Sequence, residues 1–477
     1  RRLAAEVFDA IPVPIEDADV TAWVVLLDIE YVSGHPQRCV MPIGLQLGDD
    51  IPVPEDAIIA SVDSNGSSGA VYDGLHDPRI AYALREAVVN SREMLGRFGS
   101  LWGRQSATES DPADVVTLPT LRQTSDGESF LRYGDDLTLK LFRQVEPGIN
   151  PDLELRRFLT ERTSFSKLSP VRGSLEYLSR DVYSVGIMQG PLDPDKNAWN
   201  LFAAAAANYL EESGDQPPRQ LSPESGWTSP AEPPDNSSAP LRAALDHATR
   251  LGVTTAEFHQ ALASHSEEPD LRPEPFTGLY QRSLYQSLRA QVRQELSSIR
   301  RLTGNAPEDV RDDLMELLAG ERALLAELDH IRGATIGGQR IRIHGNYRLD
   351  ELFMVDEDFY VLDLSGDHTT AMSERRLKAS PLRDIAEMLR SFDYVSLAAA
   401  RPYGADNLIT QAGYWYRCVG ERFVAAYQDA CTGFAALPTS LEDVEALLAG
   451  FELTKALREV HWELVNRAAV SYTHLRA

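Results

Sequence analysis

The chain predicts an α+β fold of two lobes, with strands concentrated in its first half and helices in its second. Three observations carry this. Up to about residue 190, apolar residues alternate in short runs broken by Gly, Asp and Pro, as strands and tight turns do. From about Asn197 onward they recur at helical spacing over long stretches. At 477 residues the chain is also longer than one compact core, so two or three cooperating units are expected.

Near the start, "TAWVVLLDIEYV" reads as a strand with Trp23, Val25, Leu27 and Ile29 on one face, and "QRCVMPIGLQL" as its hairpin partner. A helix is expected over "DPRIAYALREAVVNSREML", with Asp77 as N-cap and Pro78 at its first position. "FLRYGDDLTLKLFRQV" reads as a hairpin turning at Gly134 and Asp135. "NPDLELRRFLTER" reads as a helix capped by Asn150, with Leu153, Phe158 and Leu159 in its apolar stripe. Further on, the Pro/Ser-rich "SGDQPPRQLSPESGWTSPAEPPDNSSAP" suits an exposed loop or disordered insertion. "TGLYQRSLYQSLRAQVRQELSSIRRL" and "PEDVRDDLMELLAGERALLAELDHI" predict an antiparallel helical pair, with "RIRIHG" and "FYVLDL" as short strands embedded in the helical half.

Charge and composition exclude several functions. The 46 Lys and Arg against 72 Asp and Glu give 46 − 72 = −26, a field that repels nucleic-acid backbones and anionic membrane surfaces. No run of about 18 apolar residues is present, so no transmembrane helix is expected. Cys39, Cys418 and Cys431 have no metal-ligand spacing and read as reduced core thiols, which fits a cytoplasmic protein. The first residues, which do not begin with Met, read as a truncated start rather than a signal peptide, and the closing "VSYTHLRA" reads as a non-native tail over 470–477.

The stretch "IRIHGNYRLDELFMVDEDFYVLDLSGDH" concentrates the chemistry. A phosphotransferase needs a strand lysine for nucleotide phosphates, a helix acid to position it, a loop residue to take the acceptor's proton, and two metal ligands. Lys140 lies in the buried-looking strand "LTLKLF", and Glu154 lies on the next helix. From Asn346, Glu351 is five residues on and Asp363 seventeen on at the end of an apolar strand, close to the spacing of base, first metal ligand and second metal ligand in kinase-like enzymes. An asparagine, however, stands where such a loop wants an aspartate. His344 reads as bracing the loop backbone. Asp384 reads as complementing a helix dipole, with a place under the loop as the alternative. Ile385, Met388, Leu389 and Phe392 read as core, and the pair Trp415 and Tyr416 as packing, with stacking on a sugar as the alternative.

The blocks "LKLFRQVEPGINPDLELRRFLTER", "IRIHGNYRLDEL", "FYVLDLSGD" and "SERRLKASPLRDIAEMLRSFDYV" resemble the bacterial maltokinases. These are kinases of the aminoglycoside-phosphotransferase-like fold with an N-terminal cap domain, often fused to trehalose synthase, that use ATP to convert maltose to maltose 1-phosphate in trehalose and glycogen metabolism. The resemblance runs to about Asn466. It implies a cap over 1–95, a kinase-like N-lobe over 96–190 and a helical C-lobe over 191–469. It also implies ATP and Mg²⁺, with Lys140 on the phosphates, Glu154 pairing with Lys140, Gln189 at a hinge resembled by "MQGPLDPDKNAW", Glu351 and Asp363 on the metal, and Asn346 beside His344 at the catalytic position.

The departures from the family gather at the chemistry. The family loop runs roughly H-G-D-Y-H-L-G-Q, whereas this chain has Asn346, Arg348, Asp350 and Glu351 at four of those places. The family's D-F-E-G-E becomes Asp363, Leu364, Ser365, Gly366 and Asp367, and the hairpin over the phosphates is replaced by "SDGESF". An asparagine accepts a hydrogen bond but takes no proton, so a general-base contribution of roughly 10²–10⁴-fold is lost at that position. The resemblance therefore implies an impaired maltokinase whose partners are a small sugar, maltose, and an attached or associated trehalose synthase. A pseudokinase and a related glucosamine kinase are the alternatives.

Overall fold

The computed structural model describes residues 2–466 except 16–18, 33–35, 49–50, 65, 107–117, 124–127, 191–195, 215–226, 228–237, 265–266 and 404–405. The tail 470–477, most of the Pro/Ser-rich insertion, and parts of "SDGESF" and of the hinge lie outside the described residues. The chain forms two compact units, Arg1–Leu192 and Asp193–Ala477.

The first unit holds two antiparallel sheets. Strands β1 (Arg2–Val13), β2 (Val20–Tyr31), β3 (Gln37–Leu47), β4 (Ile58–Ser64) and β5 (Ser67–Asp73) build one in the order β1-β2-β3-β5-β4, and helix α1 (Pro78–Val89) follows. Next come β6 (Glu93–Leu95), β7 (Ser100–Gln105), β8 (Thr120–Gln123), β9 (Ser129–Tyr133), β10 (Leu137–Leu141), β11 (Gln144–Val145), α2 (Pro151–Arg162), β12 (Val171–Leu178) and β13 (Val182–Gln189). The second sheet runs β6-β7-β12-β13-β10-β9-β8, and β11 pairs with β3 of the first. A single core joins them: Val24 and Leu26 of the first sheet, Leu84 of α1, and Leu139 and Ile187 of the second belong to one buried cluster. The residues expected as cap and N-lobe thus share apolar contacts, and Asp9 adds a polar tie by accepting Tyr177 Oη–H at 2.8 Å and the amides of Arg97, Phe98 and Gly99.

Local signals set several boundaries. The Asp77 side chain accepts Arg79 N–H at 2.9 Å to start α1, and Asn150 accepts Asp152 N–H at 2.9 Å to start α2. The β9–β10 hairpin turns at Gly134, whose φ of +61° a residue without a Cβ adopts freely. Two expectations need correction. In β2 the best-buried alternation is Val20, Ala22, Val24 and Leu26, whereas Trp23 and Leu27 are only half-buried. Both faces are apolar, so periodicity could not say which meets the core. The helix expected to run through "REML" ends at Val89, and Glu93–Leu95 pair with β7 instead.

The second unit is mainly helical: α3 (Ala198–Ser213), α4 (Ala239–Leu262), α5 (Gly278–Thr303), α6 (Glu308–Ala319), α7 (Glu321–Ala326), α8 (Asp329–Gly333), α9 (Met372–Arg375), α10 (Leu382–Ala400), α11 (Asp406–Ala430) and α12 (Leu441–Asn466). Among them lie two small antiparallel strand pairs, β14 (Glu274–Pro275) with the distant β15 (Gln339–Arg340), and the hairpin of β16 (Leu352–Val355) with β17 (Asp358–Val361). Helix α10 is buried along nearly all its length, and its Phe392 meets Phe202 of α3 at 5.0 Å and Phe423 of α11 at 5.6 Å. The strand expected over "RIRIHG" stops at Arg340. Beyond it, among the described residues, only one bridge forms, between Ile341 and Ala379, so the following residues run as a loop. No helix of the described residues is long and apolar enough to cross a membrane.

Helix α4 approaches α11 through Gly252, where an added Cβ would stand 2.5 Å from Phe423 O and 3.0 Å from Tyr427 N. Backbone cannot yield as a flexible side chain does, so Gly252→Ala is expected to destabilise the protein by about 1–3 kcal/mol. Urea unfolding of the two proteins side by side measures this, and equal midpoints would show that the helices separate at no cost.

Candidate active site

Each unit, taken by itself, holds one polar constellation. In the first, Lys140 sits on β10, a strand whose five residues are all buried, and is 1% exposed. Its Nζ lies 3.0 Å from Glu128 Oε2 and 3.1 Å from Asp152 Oδ2, with the Phe142 ring centroid at 5.3 Å. The other oxygen of Asp152 accepts Arg156 Nε–H at 3.0 Å and Nη2–H at 2.7 Å, and Arg156 also donates to Ser169 O. Two cations and two carboxylates thus compensate one another, as buried charges must. The helix acid set against Lys140 is Asp152, and Glu154, two residues on and about 200° round the helix, is half-buried. Asp152 and Glu128 escaped the sequence reading because nothing in the spacing says which face of α2 turns toward β10.

Gln189 ends β13, opposite Thr138 and Val171, and is fully buried. Neither its Nε2 nor its Oε1 has a hydrogen-bond partner among the described residues. A buried amide with an unspent donor and an unspent acceptor is the chemistry that a polar ring edge would satisfy.

In the second unit the loop from His344 to Glu351 has no strand ladder to take its amides, and α10 takes them instead. Asp384 accepts His344 N–H and Gly345 N–H, each at 2.8 Å. Glu387 accepts Tyr347 N–H at 2.8 Å, and Ser391 Oγ accepts Leu349 N–H at 3.1 Å. The spacings of three and four residues put these acceptors on one helix face. Asp384 is held from behind by His259 Nε2 at 3.1 Å, while His259 Nδ1 meets Tyr427 Oη at 2.9 Å. The structure therefore gives Asp384 the place under the loop. Burial alone would raise its carboxyl, but the hydrogen bond and charge of His259 and the loop amides outweigh burial and hold it below the usual range. His344 is buried between Phe258 and Tyr347, and Tyr347 Oη meets Thr255 Oγ1 at 2.9 Å.

The exposed side of the loop carries the expected chemistry. Asn346 Nδ2–H donates to Glu351 Oε1 at 3.1 Å, and Arg348 Nη2 lies 3.3 Å from the same oxygen and 2.8 Å from Asp350 Oδ2. A 3₁₀ turn over Leu349–Glu351 and the bond from Leu362 N–H to Glu351 O at 2.9 Å set the backbone of Glu351. Asp363 follows β17; its Oδ1 accepts Ser365 N–H at 2.8 Å, and its Oδ2 stands 3.8 Å from His368 Nε2. A hard oxygen at a strand end suits a magnesium ligand. Glu351 suits it less, because one oxygen already faces both an amide and a guanidinium. Trp415 is fully buried and packs on Phe202, as core does.

No protein-family model matches the chain. It is similar to a solved glucosamine kinase in complex with glucosamine, ADP and inorganic phosphate, at 15% identity and a TM-score of 0.64 over 99% of this chain and 94% of that one. It is also similar to a glucosamine kinase in crystal form B, at 14% identity and a TM-score of 0.65 over 99% and 92%. The likeness shows the fold, which is kinase-like with a β-rich N-terminal region and a helical C-terminal region.

The Asp384 clamp makes a signed pH prediction. A carboxylate whose folded pKa lies below its unfolded value of about 3.9 contributes stability above that pH and loses it as pH falls through the folded value. Wild-type stability should therefore fall on acidification below about pH 4, and Asp384→Asn should start lower and lose less over the same range. Denaturant titrations from about pH 6 to pH 3 decide it; parallel slopes for the two proteins would exclude Asp384 as a source of the acid sensitivity.

Proposed function

We propose that the chain is an ATP-dependent phosphotransferase acting on a sugar hydroxyl. The observation that carries this is the loop from His344 to Glu351, pinned by four backbone amides to α10 so that Asn346 and Glu351 stand together on its outer side, on a kinase-like fold. Phosphoryl transfer depends mainly on positioning and electrostatic stabilisation, which a loop fixed in this way supplies. Lys140, ion-paired with Glu128 and Asp152, is the cation for nucleotide phosphates, and the unspent amide of Gln189 is a recognition group for the base. Asp363 is the residue to hold Mg²⁺, which when bound would neutralise charge on the transferring phosphoryl group.

The motif blocks favour maltose as acceptor, giving maltose 1-phosphate with trehalose synthase as a partner. Glucosamine is the second reading, favoured by the likeness to a glucosamine kinase over the full length. Mg-ATP should bind with micromolar to millimolar affinity. Asp363→Asn should weaken Mg-dependent binding by roughly tenfold or more, the worth of one charged contact. Calorimetry with and without Mg²⁺, followed by single-turnover transfer from γ-labelled ATP to maltose and to glucosamine, tests the reading. Nucleotide heats indifferent to Mg²⁺, with no labelled sugar from either acceptor, would retire it.

A further inference from the structure

We propose that Glu351 supplies the proton-accepting carboxylate that the loop lacks at Asn346. The inference rests on the phosphotransferase reading and deepens it. A carboxylate offers acceptors only, so the 3.1 Å contact with Glu351 Oε1 requires Asn346 to present its NH₂ group there. Asn346 and Glu351 therefore form an amide–carboxylate pair in which the acid stands on the later residue. The sequence pattern leads to the same exchange, since the resembled loop has its acid at the position of Asn346 and its amide at the position of Glu351. The two functional groups are kept and their places are traded.

Geometry suits Glu351 to this role. Its side chain is 16% exposed, open enough to meet an acceptor hydroxyl yet fixed by its neighbours. Its backbone is held on both sides, its N–H donating to Arg348 O at 3.0 Å and its carbonyl accepting from Leu362 N–H at 2.9 Å. Arg348, bridging Glu351 and Asp350, places a cation where a metal at Glu351 would be repelled. In the step, the sugar hydroxyl oxygen bonds to the γ-phosphorus as its proton passes to the Glu351 carboxylate. The bond from that phosphorus to the bridging oxygen breaks, ADP leaves with the electron pair, and Glu351 later returns the proton to solvent.

Single-turnover transfer from ATP, with maltose and glucosamine each offered, is measured for wild type, Glu351→Gln, Asn346→Asp and the exchanged double variant Asn346→Asp/Glu351→Gln, with Mg-ATP affinity by calorimetry for all four. Glu351→Gln should lower transfer roughly 10²-fold or more while leaving Mg-ATP affinity within about threefold, as loss of a base and not of a metal ligand requires. The double variant should recover to within about tenfold of wild type, because a carboxylate and an amide again face each other. Transfer by Glu351→Gln at the wild-type rate would overturn the proposal. So would a double variant as slow as Glu351→Gln, or a wild type that binds Mg-ATP and phosphorylates neither sugar. Weakened Mg-ATP binding in Glu351→Gln would instead make Glu351 a metal ligand. Absence of nucleotide binding in wild type would remove the phosphotransferase reading itself, a distinguishable result.

Discussion

The helical unit depends on one arrangement, a row of side-chain acceptors on α10 that takes the backbone N–H groups of the loop before it. Backbone amides removed from water must find partners, and a loop has no ladder to provide them. Asp384, Glu387 and Ser391 replace the missing strand, and the two carboxylates make the stronger, charge-assisted bonds, each worth about 1.5–3 kcal/mol. His259 orients Asp384 from α4, and Tyr427 orients His259 from α11, so three helices converge on the clamp. At Gly345 the chain turns through a φ of +76°, a conformation that costs glycine little.

The first unit solves a different problem, keeping an ammonium inside a sheet. Lys140 could not remain charged among Leu139, Leu141 and Phe142 without compensation. Glu128 and Asp152 provide it, and Arg156 absorbs the excess negative charge, so four buried groups sum to zero. Such a cluster contributes little net stability beside an apolar equivalent, because desolvation offsets attraction. Its effect is to hold the Lys140 ammonium at one point. The Asn150 cap contributes to this as well, since starting α2 there turns Asp152 toward β10.

Much of the fold was legible in short-range signals. The caps at Asp77 and Asn150, the turn at Gly134 and the helical spacing along α10 are local preferences, and the structure keeps them. Part of the site was legible too, because Asn346, Glu351 and Asp363 lie within eighteen consecutive residues whose spacing carries meaning. The misreadings have one cause. Which side of β2 is buried, which acid of α2 meets Lys140 and what Asp384 binds all turn on the orientation of an element toward a partner far away in sequence. Polar residues at 384, 387 and 391, three and four apart along α10, were the available signal for the clamp, and they look the same as a solvated face until the loop is seen lying on them.

By itself the sequence determined the α+β class, the order of most elements and the residue types at the loop, because these depend on backbone preference, periodicity and chemical identity, which each residue carries with it. Only the tertiary structure decided that Asp152 and Glu128 compensate Lys140, that α10 holds the loop by its amides, and that the amide of Asn346 faces the carboxylate of Glu351. Hydrogen bonds and ion pairs act over about 3 Å with strict direction, so their partners exist only once packing has set where each helix face and strand face points.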